Sequence, residues 1–233
     1  MEELIALEGA FLIERALAAG LSVDMLYCVP AREEWARGLP GEVPLPTVLP
    51  EREISAIAGY AFHRGAYALA RRPAALEAVE AIGRAVGPST ILVLPDIGDP
   101  ENLGSAFRNA SAFGCSALLL GPAGPDPLCR RVLRVSMGAS LRLPWARLRG
   151  PEELDEIARK GYRIAGCVLS PKAVDLRAWV RPERLALLFG NEAFGLGAPW
   201  LRACDIEITV PMRGGTDSLN VATAAAVFLY ALA

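Results

Sequence analysis

The chain has 233 residues, 53% of them hydrophobic, and a formal net charge of -2 at pH 7. This length and apolar content allow a full hydrophobic core and exclude a disordered chain. The near-neutral charge excludes a protein that coats nucleic acid by bulk charge, so any RNA binding has to come from a local patch.

No segment of the sequence predicts membrane insertion or export. The longest apolar run, from Val221 to Ala233, is interrupted by Thr223 and is too short to cross a bilayer, so we expect a buried helix there. The N-terminus is acidic and lacks the long apolar stretch of a signal peptide. These features predict a cytoplasmic protein that does not contact membranes.

The cysteines and the histidine predict no metal site. The chain has five cysteines and one histidine, without a CxxC pair that could begin a zinc site. The cysteines are Cys28, Cys115, Cys129, Cys167 and Cys204. We expect them to be small core residues rather than disulfide partners, metal ligands or nucleophiles.

The first part of the chain, residues 1–72, predicts a small α/β domain. Helices are expected from Glu3 to Ala19 and from Glu51 to Gly59, and strands from Asp24 to Cys28 and from Gly65 to Ala70. An alanine-rich amphipathic stretch then predicts a linker helix over residues 73–88. The second domain is expected to cover residues 89–233.

From residue 89 onward, strand and helix patterns alternate. Unbroken apolar segments such as ILVLP and LALLFG are typical of strands buried on both faces. Further strands are expected at ALLLG, Ile164 to Leu169 and IEITVP, and helices at Asn102 to Phe113, at Pro127 to Met137 and at the C-terminus. This alternation predicts a parallel sheet with right-handed crossovers, whose ligands bind outside the carboxyl ends of the strands.

Amide side chains are scarce, and their positions are therefore informative. The chain has no glutamine and four asparagines, namely Asn102, Asn109, Asn191 and Asn220. An amide offers both a donor and an acceptor, so each asparagine in such a composition is expected to meet a specific hydrogen-bonding need. All four are expected just after strands of the second domain, where a ligand would bind.

The first of three polar segments is DIGDPENLGSAFRNASAFG. Asp99, Pro100 and Asn102 suit a turn and a helix N-cap, which would be a purely structural role. Arg108 is less easily explained by structure alone. It stands on an otherwise small and apolar helix, from which it could reach back toward the carboxyl edge of the sheet.

The other two polar segments are LLFGNEAFGLG and ITVPMRGGTDSLNVATAAA. Glycines around Asn191 and Glu192 suit either the close approach of a ligand to the backbone or a tight turn. Ser218 is expected to cap the final helix, with Asn220 in its first turn. Neither GxGxxG after a strand nor GxxxxGK[ST] occurs, so a dinucleotide fold and a P-loop are not supported.

These three segments, in this order and spacing, resemble the motifs of the SpoU (TrmH-like) family of RNA 2′-O-ribose methyltransferases, in the SPOUT superfamily. The matching residues are Asn102-Leu103-Gly104, Arg108 and Phe113-Gly114, then Gly190, Glu192 and Gly195-Leu196, then Pro211-Met212 and Ser218-Leu219-Asn220. Arg134, Ser136 and Gly138-Ala139 also resemble a family segment.

The resemblance implies both a fold and an assembly. Residues 89–233 are expected to form a catalytic domain with a C-terminal trefoil knot, and residues 1–72 an RNA-binding domain similar to ribosomal protein L30e. Family members are homodimers with the active site at the interface. S-adenosylmethionine is expected to be held mainly by backbone groups, here at Gly190, Val210 and Leu219, with Met212 beside them.

The resemblance also implies catalytic roles. Arg108 is assigned to catalysis, either as the base for the ribose 2′-hydroxyl or as a stabiliser of the developing alkoxide. Asn102, Glu192, Ser218 and Asn220 would orient Arg108 and the ribose or hold the motif loops together. Two other functions stay open at this point, namely methylation of an RNA base and RNA binding without catalysis.

A phosphate-binding surface for structured RNA is also expected. Its candidates are Arg64, Arg71, Arg72, Arg130, Arg131 and Arg134. The alternative for these arginines is a solvated basic face. The sequence does not indicate whether the RNA is transfer or ribosomal RNA.

Overall fold

The structure is a computed structural model that describes residues 4–83, 87–191, 193–212, 214 and 218–232. It divides into two compact units. Unit 1 consists of Met1–Ala74 and Leu128–Arg142, and unit 2 consists of Ala75–Pro127 and Leu143–Ala233. The predicted domains are continuous stretches of sequence, whereas these units are interleaved, because residues 128–142 make their contacts with the N-terminal residues.

The strands are numbered in chain order. They are β1 Leu4–Glu8, β2 Val23–Cys28, β3 Thr47–Val48, β4 Ala66–Arg71, β5 Ser89–Leu94, β6 Ala117–Leu120, β7 Trp145–Arg147, β8 Arg163–Cys167, β9 Val174–Asp175, β10 Arg184–Phe189 and β11 Ile206–Thr209. The first four belong to unit 1 and the others to unit 2.

The α-helices are numbered in the same way. They are α1 Ala10–Ala18, α2 Glu33–Arg37, α3 Glu51–Ala58, α4 Ala78–Gly83, α5 Pro100–Ala112, α6 Arg130–Val135, α7 Leu154–Arg159, α8 Ala198–Arg202 and α9 Val221–Ala231. Among these, α1, α2, α3 and α6 belong to unit 1.

Unit 1 is built on a four-stranded sheet in the order β1-β4-β2-β3. Both neighbours of β4 run antiparallel to it, and β3 runs parallel to β2. The predicted helix from Glu3 to Ala19 is wrong in its first part, because residues 4–8 pair with β4 as a strand. Gly9, with φ 84°, then turns the chain into α1, so pairing with β4 outweighs local helix propensity.

Unit 2 confirms the predicted parallel sheet. Its seven strands lie in the order β7-β6-β5-β10-β8-β11-β9, and every neighbouring pair is parallel. The central strands β5 and β10 are buried along most of their length, as their unbroken apolar sequences require. Side chains such as Ile91, Val93, Ala186 and Leu188 form the core under the helices.

Several helices are shorter than predicted. The helix expected from Pro127 to Met137 covers Arg130–Val135, and the left-handed residues Met137 and Gly138 follow its end. Within the expected linker helix the structure shows α4, and residues 84–86 lie outside the described part. The strands β7 and β9 were not expected, because two or three residues carry too little periodicity to be recognised.

None of the helices in the described residues is long and apolar enough to span a bilayer. The described residues also contain no cluster of three or more histidine, cysteine, aspartate or glutamate side chains arranged to hold a metal ion.

Candidate cofactor cavity and active site

A cavity of about 700 Å³ lies in unit 2 at the carboxyl ends of β8, β10 and β11. These are neighbouring strands, with β8 in the middle. In open parallel sheets this edge is where ligands bind, and pockets of about 300–1,000 Å³ are typical of small-molecule sites. The location and the volume therefore suit a ligand of cofactor size.

The residues predicted to hold the cofactor line this cavity. Gly190 follows β10, Val210 and Met212 follow β11, and Leu219 precedes α9. Ser218, which the sequence placed in the catalytic group, is also on the wall. Much of the rest is apolar, which would favour the flat, weakly polar faces of a purine. The apolar side chains include Phe189, Leu196, Leu201 and Phe228.

Two charged residues on the wall lie outside the sequence motifs. Lys172 is exposed in the loop after β8, and Glu207 is half-buried in β11. One charge of each sign suits a ligand that carries both a carboxylate and an amino group. The only signal in the sequence was that Lys172 is one of two lysines in the chain.

The loop after β10 folds back on itself. The backbone N–H of Asn191 donates to the Gly195 carbonyl at 2.9 Å, and the N–H of Gly195 donates to the Asn191 carbonyl at 2.8 Å. The Asn191 side chain donates to the Asp96 carbonyl at 3.0 Å and accepts from the N–H of Ala193 at 2.8 Å. One amide thus ties the loop after β10 to the loop after β5.

Gly190 is required by this turn. A Cβ at position 190 would lie 2.1 Å from the Gly195 carbonyl carbon and 2.2 Å from the Leu196 nitrogen. Of the two explanations that the sequence offered for these glycines, the tight turn accounts for Gly190. The neighbouring Glu192 lies outside the described residues.

Asn220 joins the start of α9 to the start of α5. Its side-chain oxygen caps α9 by accepting from the N–H groups of Ala222 and Thr223, and its Nδ2 donates to Asn102 Oδ1 at 2.8 Å. The expectation that Ser218 caps this helix is therefore wrong, because the helix begins two residues later. At α5 the cap is Asp99, as expected.

Asn109 lies inside α5 rather than just after a strand, so this expectation is also wrong. Its Nδ2 donates to the Ala222 carbonyl at 2.8 Å, which gives a second amide link between α5 and α9. Asn102 and Asn109 are seven residues apart and so face the same side of the helix.

Arg108 lies on the exposed side of α5 and is not part of the cavity wall. The buried residues of this helix, which include Leu103, Ala106 and Phe107, face the sheet from the opposite side. Within the described chain, Arg108 makes no hydrogen bond or ion pair. The predicted approach of Arg108 to the carboxyl edge of its own sheet is thus not observed, and its guanidinium faces outward.

Arg147, at the end of β7, holds the loop that follows β6. Its two terminal nitrogens donate to four backbone carbonyls at 2.6–3.2 Å, those of Gly121, Ala123, Gly124 and Pro125. This loop also lies directly against the loop after β5, since a Cβ at Gly121 would be 1.7 Å from the Pro95 oxygen. Nothing in the sequence pattern distinguished this arginine from the others.

Cys167 is the cysteine on the cavity wall. Burial, followed by the nearby Cys204, raises the pKa of the Cys167 thiol well above its usual value. The side chain is therefore a neutral thiol at physiological pH and behaves as a small apolar group.

All six arginines proposed for RNA binding lie in unit 1, including the three from residues 130–134 that the sequence placed in the catalytic domain. Arg130 is committed to a buried carboxylate. Its Nε donates to Glu8 Oε1 at 2.5 Å, and its guanidinium stacks 3.7 Å from the Tyr60 ring centre. Burial, followed by the Glu8 carboxylate, raises the pKa of Tyr60 to about 12.

The other five arginines are engaged to different degrees. Arg64 Nε lies 3.8 Å from the same Glu8 carboxylate, and Arg71 pairs with Asp24 at 3.0 Å. Arg72 and Arg131 also have partners, whereas Arg134 is half-buried on α6. The six arginines therefore do not form one uncommitted basic patch.

Comparison with known proteins finds RNA methyltransferases among the relatives of this chain. An uncharacterized tRNA/rRNA methyltransferase of Mycobacterium bovis is 37% identical over 97% of this chain and 80% of its own length. The 23S rRNA (guanosine(2553)-2′-O)-methyltransferase RlmP of Bacillus subtilis is 34% identical over 61% of this chain and 57% of its own length.

A solved structure agrees in fold over almost the whole chain. The SpoU methyltransferase AviRb from Streptomyces viridochromogenes, in complex with the cofactor AdoMet, covers 97% of this chain and 88% of its own. Its TM-score is 0.85 at 25% sequence identity. The model of the SpoU rRNA methylase family matches residues 89–230, which include the cavity and all three motif loops. The chain belongs to the SpoU rRNA methylase family.

Proposed function

We propose that this protein transfers a methyl group from S-adenosylmethionine to a ribose 2′-hydroxyl of tRNA or rRNA. As a member of its family, it is an S-adenosylmethionine-dependent RNA methyltransferase. The observation that carries the proposal is the cavity at the carboxyl ends of β8, β10 and β11, lined by the residues of the second and third motifs. The ribose target is supported by the similarity to RlmP over part of the chain.

The residues present suit this cofactor. The apolar wall near Phe189, Leu219 and Phe228 suits the adenine ring, and the turn at Gly190 brings backbone close to the cavity without a side chain. The opposite charges of Lys172 and Glu207 suit its amino-acid end. When bound, S-adenosylmethionine supplies a methyl group that the positive sulfonium has already activated.

The chain has to orient the 2′-hydroxyl and assist the loss of its proton. Arginine side chains stay protonated in proteins, so Arg108 stabilises the developing alkoxide more readily than it acts as a base. The Asn102–Asn220 hydrogen bond holds the first and third motif loops in register. In this proposal Asn102, Glu192, Ser218 and Asn220 position the ribose and Arg108.

A homodimer is part of the proposal, with the active site completed at its interface. Arg108 faces outward, as expected for a residue that acts at such an interface. Tyr230 on α9 also has 77% of its surface exposed. We further propose a trefoil knot at the C-terminus, an L30e-like fold for unit 1 and a cytoplasmic location, as the resemblance implies.

Methyl transfer is tested with tritiated S-adenosylmethionine and RNA from cells that lack the protein. Methylation of a ribose yields nuclease- and alkali-resistant dinucleotides that carry the label. Label that appears instead in a modified base would contradict the ribose assignment, and RNA without label would contradict the activity itself.

Arg108→Ala is expected to lower the single-turnover rate about a hundredfold or more, with the fold and cofactor affinity unchanged. Arg108→Lys should recover part of the rate, because a point charge does not replace the planar fork. Arg159→Ala is the matched control, since Arg159 is an exposed arginine on α7 of the same unit. A dimeric Arg108→Ala protein with the wild-type rate would show that Arg108 has a structural role only.

A further inference from the structure

We infer that Phe11, Arg15 and Met137 of unit 1 form a stacking platform for an unpaired base of the RNA substrate. This inference rests on the proposed function, because it supplies a specific contact for the RNA. It assigns recognition of a base to an aromatic and a thioether side chain, whereas the six arginines were proposed to bind phosphate.

The first observation is the geometry of Phe11 and Arg15. They are one turn apart on α1, and the Arg15 guanidinium carbon lies 4.0 Å from the centre of the Phe11 ring. Phe11 keeps 41% of its surface exposed although it is a large aromatic residue. An exposed ring backed by a planar cation offers the two kinds of surface on which bases stack in RNA-binding proteins.

The second observation is that Arg15 is held in place by the chain of residues 128–142. Its Nη1 donates to the Met137 carbonyl. The backbone beside Met137 also lies against α1, since a Cβ at Gly138 would be 3.1 Å from Leu12 and 3.3 Å from Arg15. A side chain held at both its stem and its tip loses less freedom when a ligand binds.

The third observation is the backbone of Met137. It is the one non-glycine residue with positive φ in the described part of the chain, with φ 53°. Glycine would adopt this conformation without strain, and strained residues of other types concentrate at functional sites. Here the residue is a methionine with 40% of its surface exposed, and its carbonyl accepts the hydrogen bond from the Arg15 guanidinium.

Charge favours RNA as the occupant of this surface. Two arginines add positive charge close to the exposed apolar side chains in sequence. Arg15 is on α1 with Phe11, and Arg134 is in residues 128–142 with Met137. The acidic neighbour on α1, Glu14, already accepts a hydrogen bond from Trp35 at 2.7 Å. A base on the stacking platform would therefore bring its phosphate near cations, which neutralise its charge.

The test measures binding of the full-length protein to fluorescent oligoadenylate and oligouridylate of about 12 nucleotides. Adenine stacks more strongly than uracil, so the wild-type protein should prefer oligoadenylate. Phe11→Ala should weaken oligoadenylate binding about tenfold, with the salt dependence unchanged because no phosphate contact is lost. Phe11→Trp should retain the affinity, and Phe11→Leu should bind as weakly as Phe11→Ala.

Ile57→Ala is the matched control, because Ile57 lies on α3 of the same unit with 43% of its surface exposed. Met137→Gly gives a separate readout. Glycine should raise stability by removing the strained backbone, yet weaken oligoadenylate binding about threefold by removing the thioether. A residue with a structural role only would not show these opposite changes.

Three results would overturn the stacking platform: unchanged affinity in Phe11→Ala, wild-type affinity in Phe11→Leu, or no binding of either oligonucleotide by the wild-type protein. Phe11→Leu with wild-type affinity would point to an apolar protein partner instead. Methyl incorporation into cellular RNA, measured with the same preparations, tests the proposed function independently of oligonucleotide binding. If the protein methylates RNA and Phe11→Ala leaves the oligoadenylate affinity unchanged, the proposed function stands and the stacking platform is wrong.

Discussion

The two units hold their polar groups in different ways. In unit 1, the Glu8 carboxylate has a side chain that is 2% exposed and pairs with Arg130, whose side chain is 42% exposed. In unit 2, the loops around the cavity are joined by neutral amides at Asn109, Asn191 and Asn220. The buried carboxylate of unit 1 therefore depends on an ion pair, whereas the links around the cavity of unit 2 are uncharged hydrogen bonds.

This difference has consequences for function. A buried charge that loses its partner destabilises a fold strongly, whereas a neutral hydrogen bond contributes less and responds little to salt. The geometry of the cavity should therefore stay the same over a range of ionic strength in which RNA binding changes. Unit 1 should be the part of the molecule that is more sensitive to loss of a single charged side chain.

The largest expected effect is at the turn after β10. Gly190→Ala should reduce S-adenosylmethionine affinity more than a hundredfold, because the new Cβ would overlap the backbone of Gly195 and Leu196. Gly98→Ala is the control, since a Cβ at Gly98 meets nothing within 4 Å. Both are measured by calorimetry. Equal affinities would show that the Asn191–Gly195 turn does not shape the cavity.

The second effect concerns the ion pair of unit 1. Arg130→Ala should lower the free energy of unfolding by about 3 kcal/mol, because the Glu8 carboxylate stays buried without its main partner. Arg37→Ala removes an exposed pair with Glu33 and should cost about 0.3–0.5 kcal/mol. Urea unfolding measures both, and similar losses in the two variants would remove the contrast between the units.

A smaller effect is expected at the amide link between the first and third motif loops. Asn220→Ala should lower the free energy of unfolding by about 1–2 kcal/mol through loss of the α9 cap and of the bond to Asn102. Asn220→Asp keeps the cap acceptor and should lose less. We expect the Asn220→Ala loss to be equal at low and high salt, and a strong salt dependence would argue against a neutral link.

The smallest effect is expected at the surface of unit 1. Arg71 and Asp24 form an ion pair whose side chains are 54% and 32% exposed. Arg71→Ala should lower the free energy of unfolding by about 0.5 kcal/mol at low salt and by almost nothing near 1 M salt. A loss that persists at high salt would mean that this pair behaves like the buried one.

Much of unit 2 could be predicted from the sequence because its signals are local. The unbroken apolar strands predicted the parallel sheet, and the rare asparagines marked the residues that join the motif loops. At α9 the cap is Asn220 and not Ser218, because either residue can cap a helix and only the position of its first turn decides between them.

The features that could not be predicted depend on contacts between residues that are far apart in the sequence. Residues 4–8 look helical until β4, whose residues follow their partners by 59 to 67 positions, is available for pairing. Arg147 is one arginine among many until its four carbonyls are in place. Glu207 lies on the cavity wall only because β11 is placed beside β8. Sequence periodicity describes the neighbours of a residue along the chain and does not identify such partners.

The interleaving of the two units has a consequence for biosynthesis. Glu8 leaves the ribosome 122 residues before Arg130, and the intervening chain includes the first strands of unit 2. Unit 1 is complete only when Arg142 has been synthesised, and by then the first strands of unit 2 have already been made. A fragment that stops at residue 72 would lack α6, and a truncation that removes residues 1–72 would leave α6 without its sheet.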